Sequence, residues 1–210
     1  MNDQFKTEQE TFWAGKFGDD YIARNTSAAL LGSNISFLAK LLNHCHQTKS
    51  LIEFGSNVGM NLRAIRALRP DMELDAIEIN DLAVKELRAW GGAQRIHHGS
   101  ILDFNPDRTW DIALIKGVLI HINPDFLPKV YELLFRSSSR YILVVEYYNP
   151  TPVEVVYRGH AGRLFKRDFA GEMLDKYPSL RIVEYGFVWH RDPVFPQDDP
   201  TWFVLEKVAA

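Results

Sequence analysis

Cysteine is nearly missing from this chain: Cys45 stands alone among 210 residues. One thiol closes no internal disulfide, so the fold has to be held by a packed core, and the composition suits a reducing compartment. No apolar run approaches the roughly 18 residues that a membrane helix needs. Met1 to Glu10 is polar and acidic, unlike a cleavable leader, so a cytoplasmic protein without a membrane partner is expected. Neither sign of charge dominates: 24 Lys and Arg against 27 Asp and Glu give −3, which supplies no general field for nucleic acid. Ligands for a metal are sparse as well, since His44-Cys45-His46 has no second ligand pair. The Gly-x-Gly-x-x-Gly fingerprint of dinucleotide sites is also absent.

What is present is one dense signal. In Ser50-Leu51-Ile52-Glu53-Phe54-Gly55-Ser56-Asn57-Val58-Gly59-Met60-Asn61-Leu62 an apolar run carries a carboxylate, passes two glycines and enters a helical pattern. That reads as strand, tight turn and helix N-terminus, where open α/β sheets hold nucleotide-like ligands. Glycines permit close backbone approach, and the helix start offers unpaired N–H groups to an anion. Glu53 would present a carboxylate to an ammonium in the same crevice, a pairing that suits an amino-acid-like moiety and gives a pyrophosphate nothing. A second strand, Leu74-Asp75-Ala76-Ile77-Glu78-Ile79-Asn80, ends in Glu78, roughly 20 residues past the loop, the offset at which an acid takes both ribose hydroxyls.

The remaining pattern alternates strand and helix. Apolar residues at Ala28, Leu31, Ile35, Leu38 and Leu42 predict a helix over 27–42. Strands are predicted at 51–54, 74–79, 95–98, 111–116 and 141–146, with helices at 59–68, 81–90 and 125–135. Asn123-Pro124-Asp125 is a helix-start signal. Alternation of this kind implies a parallel sheet, closed here by a pair at 180–188 and 201–206. A single domain over 1–210 is expected, with an N-terminal helical cap at 1–34 and an acceptor-side insertion at 146–168.

These residues resemble the class I S-adenosylmethionine-dependent methyltransferases. The loop from Glu53 to Gly59 is similar to their first motif, with Asn57 in place of a middle glycine, and Glu78 to their ribose-binding acid. Gly99-Ser100-Ile101-Leu102-Asp103 falls where that family contacts adenine, with Ser100 in place of the commoner aspartate. Ile115-Lys116-Gly117-Val118-Leu119-Ile120-His121 resembles the segment beneath the methionine part. The resemblance implies a Rossmann-like sheet of seven strands, mostly parallel with an antiparallel last strand. It also implies S-adenosylmethionine as cofactor, held by Glu53, Gly55, Ser56, Asn57, Gly59, Asn61, Leu62, Glu78, Ile79, Ser100, Ile101, Lys116, Gly117 and Val118.

A narrower resemblance rests on Thr7-Glu8-Gln9-Glu10-Thr11-Phe12-Trp13 onward to Asn25, and on Glu146-Tyr147-Tyr148-Asn149-Pro150 with Tyr157-Arg158-Gly159-His160 and Leu164-Phe165-Lys166-Arg167. Both look like the methylases encoded with pseudaminic acid biosynthesis, a bacterial surface-sugar pathway, and imply a sugar or sugar-nucleotide acceptor. A sugar hydroxyl must lose a proton, and histidine is the usual agent. His121 and His160 are the candidate catalytic bases. Tyr21, Arg24, Tyr147, Tyr148, Tyr157, Arg158 and Arg163 are the candidate acceptor contacts, with guanidinium for carboxylate or phosphate and phenol for sugar. Trp13, Phe17, Tyr21, Arg24 and Asn25 form a segment that either covers the pocket or packs at a sheet edge. Alternatives are a protein or nucleic-acid acceptor, a nicotinamide dehydrogenase, or a non-catalytic nucleotide-binding module. The Asp/Asn-Pro-Pro-aromatic motif of amino-directed DNA enzymes is replaced by Lys116-Gly117-Val118-Leu119.

Overall fold

A computed structural model describes residues 5–22, 24 and 26–208. The five predicted parallel strands are β1 (Ser50–Phe54), β2 (Glu73–Glu78), β3 (Arg95–His98), β4 (Trp110–Lys116) and β5 (Ser138–Glu146). After them come a hairpin of β6 (Val153–Tyr157) and β7 (His160–Lys166), then β8 (Leu180–Phe187) and β9 (Thr201–Lys207). Seven strands form one sheet in the order β3-β2-β1-β4-β5-β9-β8; only β9 runs antiparallel to its neighbours. The order reverses between β1 and β4. Ligands in open α/β sheets bind at that switch point, beyond the carboxyl ends of the strands.

Strand alternation divides the core into two layers. Leu51, Leu74, Ile112, Leu114, Leu143 and Val204 face one side, against α3 (Ala28–Leu42) and α4 (Met60–Leu68). Ile52, Phe54, Ala113, Ile115, Ile142 and Leu205 face the other, against α6 (Leu127–Ser137) and α7 (Phe169–Lys176). Each fully buried leucine, such as Leu38 and Leu41 of α3, contributes roughly 1.5–3 kcal/mol. The helix between β2 and β3, α5 (Asp81–Trp90), starts where Asn80 Oδ1 accepts the N–H of Leu82 and of Ala83, both at 3.0 Å. Asn123 likewise accepts from Asp125 N–H, but it caps a short 3-10 turn, and α6 proper begins only at Leu127.

The expected N-terminal helical cap comprises α1 (Glu8–Ala14) and α2 (Lys16–Ile22); α1 opens with a capping box in which Thr7 and Glu10 bond reciprocally. The β6–β7 hairpin within the 146–168 insertion was not predicted. Tyr157 pairs with His160 across a two-residue turn, and Arg158 and Gly159 have φ of 49° and 87°, the positive pair a tight primed turn requires. Among the described residues no helix is long and apolar enough to cross a membrane.

Candidate active site

The carboxyl ends of β1, β2, β4 and β5 open into a cavity of about 520 Å³. Its floor is the turn after β1. Gly55 adopts φ 76°, and a Cβ there would fall 2.5 Å from Val118 Cγ2, so only glycine lets the turn pass the segment after β4. Asn57 follows at φ 48°, a left-handed position that asparagine tolerates. Gly59 provides no side-chain cap for α4, so the helix start is left open. Asn61, in the first turn of α4, lines the cavity and donates to Glu53 Oε1 at 2.6 Å. Asn61 Oδ1 and Glu53 Oε2 are both buried with no donor. The orphan acceptor on Asn61, which lines the cavity, calls for an N–H group from a ligand.

Three carboxylates are buried around this end of the sheet: Glu78 and Glu146, which end β2 and β5, and Glu53, one residue short of the end of β1. Glu78 accepts the backbone N–H of Asn57 at 2.6 Å, Ile79 at 2.9 Å and Asn80 at 2.8 Å, which ties the β1 turn to the β2 turn. Burial still raises its pKa, and the three N–H donors oppose that. Glu146 accepts from Val118 and Leu119, each at 2.9 Å, and Ile120 at 3.4 Å. Its pKa is raised to about 7 by burial. Glu53 has the least compensation, and burial pushes it to about 8.

A consequence for stability follows from Glu53. Its folded pKa lies above the ordinary 4.5, so the folded form favours the protonated carboxyl, and stability is lost as pH rises from there through the folded value. Glu53→Gln should melt close to the parent at pH 5. At pH 8.5 it should be more stable by about 2–4 kcal/mol, since one pKa unit corresponds to about 1.4 kcal/mol. Equal melting curves at pH 8.5 would show that Glu53 ionises at no cost.

The roof is aromatic. Trp13 of α1 lies 4.6 Å from the His121 ring and 5.3 Å from Tyr21 of α2, and Tyr157 of the hairpin lies 5.0 Å from His121 (centroid distances). Glu10 accepts from the Ser100 hydroxyl, and Asn80 Nδ2 donates to Asp19 at 2.8 Å, so both capping helices are fastened to the sheet's end. Gln9 Nε2 donates to Gly162 O at 2.8 Å and Arg163 pairs with Glu8 at 3.0 Å, which joins α1 to the hairpin.

His121 sits on the 3-10 turn that Glu146 fastens, and is 7% exposed. Its Nδ1 lies 2.5 Å from Arg163 O. A carbonyl only accepts, so Nδ1 carries the proton and Nε2 keeps a lone pair. Burial lowers the pKa to about 4, and the ring is neutral at pH 7.

Comparison with solved structures bears on this arrangement. The chain superposes on magnesium protoporphyrin IX methyltransferase from Synechocystis PCC 6803, crystallised with bound SAM, with a TM-score of 0.69 at 12% identity, covering 99% of this chain and 100% of that one. It matches 1,6-didemethyltoxoflavin-N1-methyltransferase from Burkholderia thailandensis with a TM-score of 0.68, 14% identity and coverage of 95% and 87%. A SAM-dependent methyltransferase from Leishmania major gives 0.66, 16% identity and coverage of 97% and 88%. The fold is that of the class I methyltransferases. Neither a family model nor a curated protein matches the sequence.

Within this methyltransferase fold, Gly55, Ser56, Asn57, Asn61, Glu78, Ile79, Ser100, Ile101, Lys116, Gly117 and Val118 line the cavity, as do His121, Tyr21, Tyr147 and Tyr157. Other expected contacts lie elsewhere. Glu53 sits behind Asn61 and does not line the cavity. Leu62 is wholly buried in the core under α3, and Gly59 faces Leu87, whose Cδ1 would be 2.4 Å from a Cβ. That glycine serves packing, and ligand approach does not require it. His160 is exposed and packs edge-on against Phe12 and Phe17, away from the cavity. Arg158 is exposed in the hairpin turn, its guanidinium 5.7 Å from the Tyr157 ring. Arg163 is held by Glu8 and Gly162 O. Arg24 and Tyr148 are exposed, and Asn25 lies outside the described residues.

Several lining residues escaped sequence reading: Gln9 and Glu10 of α1, Asn34 of α3, Glu146, and Gln197 and Asp198 of the β8–β9 loop. Glu146 was findable, since it ends a parallel strand as Glu78 does. The others arrive through long-range contacts, such as Gln197 Nε2 to Asn34 Oδ1 at 3.0 Å, and no local pattern marks them.

Proposed function

We propose that this protein is an S-adenosylmethionine-dependent methyltransferase that methylates a hydroxyl of a small sugar-type acceptor. One observation carries the reading: a single cavity at the switch point holds both a strand-terminal acid, Glu78, and a neutral histidine with a free Nε2. The residues fit the cofactor. Glu78 would take the ribose hydroxyls, Ser100 and Ile101 the adenine, and the orphan acceptor on Asn61, positioned by Glu53, the ammonium. A cavity of this size lies within the roughly 300–1,000 Å³ range of small-molecule sites.

When bound, the cofactor would supply a sulfonium methyl to an aligned hydroxyl oxygen, a C–O bond forming as the C–S electron pair leaves with sulfur. This chain must orient the acceptor, exclude water and take one proton. Orientation alone can lower a barrier by about 7–11 kcal/mol. Trp13, Tyr21 and Tyr157 cover the site. His121 accepts the hydroxyl proton at Nε2, and its ring becomes charged only as the positive charge elsewhere in the cavity disappears. The burial that holds its pKa near 4 is therefore offset at the moment of transfer.

The narrower reading, a nonulosonic acceptor of the pseudaminic type in bacterial surface-glycan synthesis, is supported by the resemblance of the N-terminal and 146–168 segments. A cytoplasmic site of action goes with it. Calorimetric titration with S-adenosylhomocysteine, with NAD as control, tests the class. Micromolar binding of the first and none of the second is expected; the reverse would move a nicotinamide dehydrogenase to the front.

A further inference from the structure

Helix α1 carries two polar atoms that its own fold leaves unused. Gln9 is 8% exposed. Its Nε2 donates to Gly162 O at 2.8 Å, which fixes the amide orientation and leaves Oε1 buried without a donor. Trp13, one helical turn on, has a buried Nε1 without an acceptor. Residues four apart share a helix face, and both side chains line the cavity. An unused acceptor and an unused donor on one face, each costing about 1–3 kcal/mol to leave buried, match a ligand group that both donates and accepts.

Their position identifies which ligand. Trp13 lies 4.6 Å from the His121 ring, and Gln9 is bonded to the residue preceding Arg163, whose carbonyl holds His121. Both are thus beside the proposed base. Glu10, between them in sequence, turns instead to Ser100. Resting on the methyltransferase reading, we infer that Gln9 and Trp13 are acceptor-binding residues. They select an uncharged hydroxyl-bearing group, a vicinal diol or hydroxy-amide, through Gln9 Oε1 and Trp13 Nε1 while His121 addresses the hydroxyl to be methylated. Arg163 pairs with Glu8 and, unlike Gln9 and Trp13, does not line the cavity, so it takes no part. Recognition of the reacting end then falls to neutral hydrogen bonds from the capping helix.

The test uses the full ¹⁵N-labelled chain saturated with S-adenosylhomocysteine. Trp13→Phe assigns the Trp13 indole signal among the five tryptophans. N-acetylneuraminic acid, N-acetylglucosamine and myo-inositol are the probes. At least one should shift the Trp13 indole resonance. Calorimetric titration of that probe should show Gln9→Leu and Trp13→Phe each weakening it by about tenfold, as the loss of one buried hydrogen bond implies, with S-adenosylhomocysteine affinity unchanged. If Gln9→Leu does not fold, Trp13→Phe, which keeps the ring, decides alone. Normal cofactor-product binding with no response to any probe overturns the inference and leaves the methyltransferase reading standing. So does lost S-adenosylhomocysteine affinity in either variant, because the atoms would then face the cofactor. Failure of the parent to bind S-adenosylhomocysteine sinks the reading beneath it.

Discussion

Replacing Glu78 by alanine should abolish S-adenosylhomocysteine binding, with a loss of at least about 100-fold by calorimetry. Two effects combine. The ribose would lose its acceptor, and three backbone N–H donors at Asn57, Ile79 and Asn80 would lose theirs. Leaving one such group unsatisfied costs about 1–3 kcal/mol, and 1.4 kcal/mol is already about tenfold in affinity. The turn after β1 would also be released from the turn after β2. Glu78→Gln keeps the shape but not the capacity to accept at both oxygens, so it should fall between alanine and the parent. Parent-like affinity in Glu78→Ala would remove this carboxylate from the cofactor site.

The second large effect is kinetic. His121→Phe should lower turnover by about 10²- to 10⁴-fold, the usual contribution of a positioned base, and should leave S-adenosylhomocysteine affinity within about twofold. The tilted ring contacts with Trp13 and Tyr157 survive that exchange while the bond to Arg163 O does not, so an unchanged melting temperature is needed beside the turnover to separate proton transfer from hairpin seating. The pH profile supplies an independent check. With a pKa held near 4, Nε2 is unprotonated throughout the neutral range, and activity should fail only as acid protonates it. A profile rising through pH 6.5 would mean an ordinary, solvated histidine. Undiminished turnover in His121→Phe would show that the acceptor needs no base here.

The sheet was legible because each β–α unit carries its own local signal. Apolar runs end at Phe54, Glu78 and Lys116; the helix expected from 81 begins at Asp81, and the one expected from 125 begins, after a 3-10 turn capped by Asn123, at Leu127. The loop glycines were legible as a motif, yet their reason differed: Gly55 makes room for Val118 and Gly59 for Leu87, two contacts between residues far apart in sequence. The hairpin was hidden because its turn uses arginine where asparagine is usual, and its strand β6 is exposed along most of its length, which erases the alternation that marks a half-buried strand. His160 looked as suitable as His121 for the same cause. Nothing local says that one ring packs on the outer face of Phe12 while the other is enclosed.

The bond from Arg163 O to His121 Nδ1 joins a backbone atom of the hairpin to a side chain of the sheet's end. Seating of the hairpin therefore sets the tautomer of the imidazole. A substitution that unseated β7 would expose the ring to water, free its tautomer and let its pKa rise toward the ordinary value near 6.5, with no change to the histidine itself.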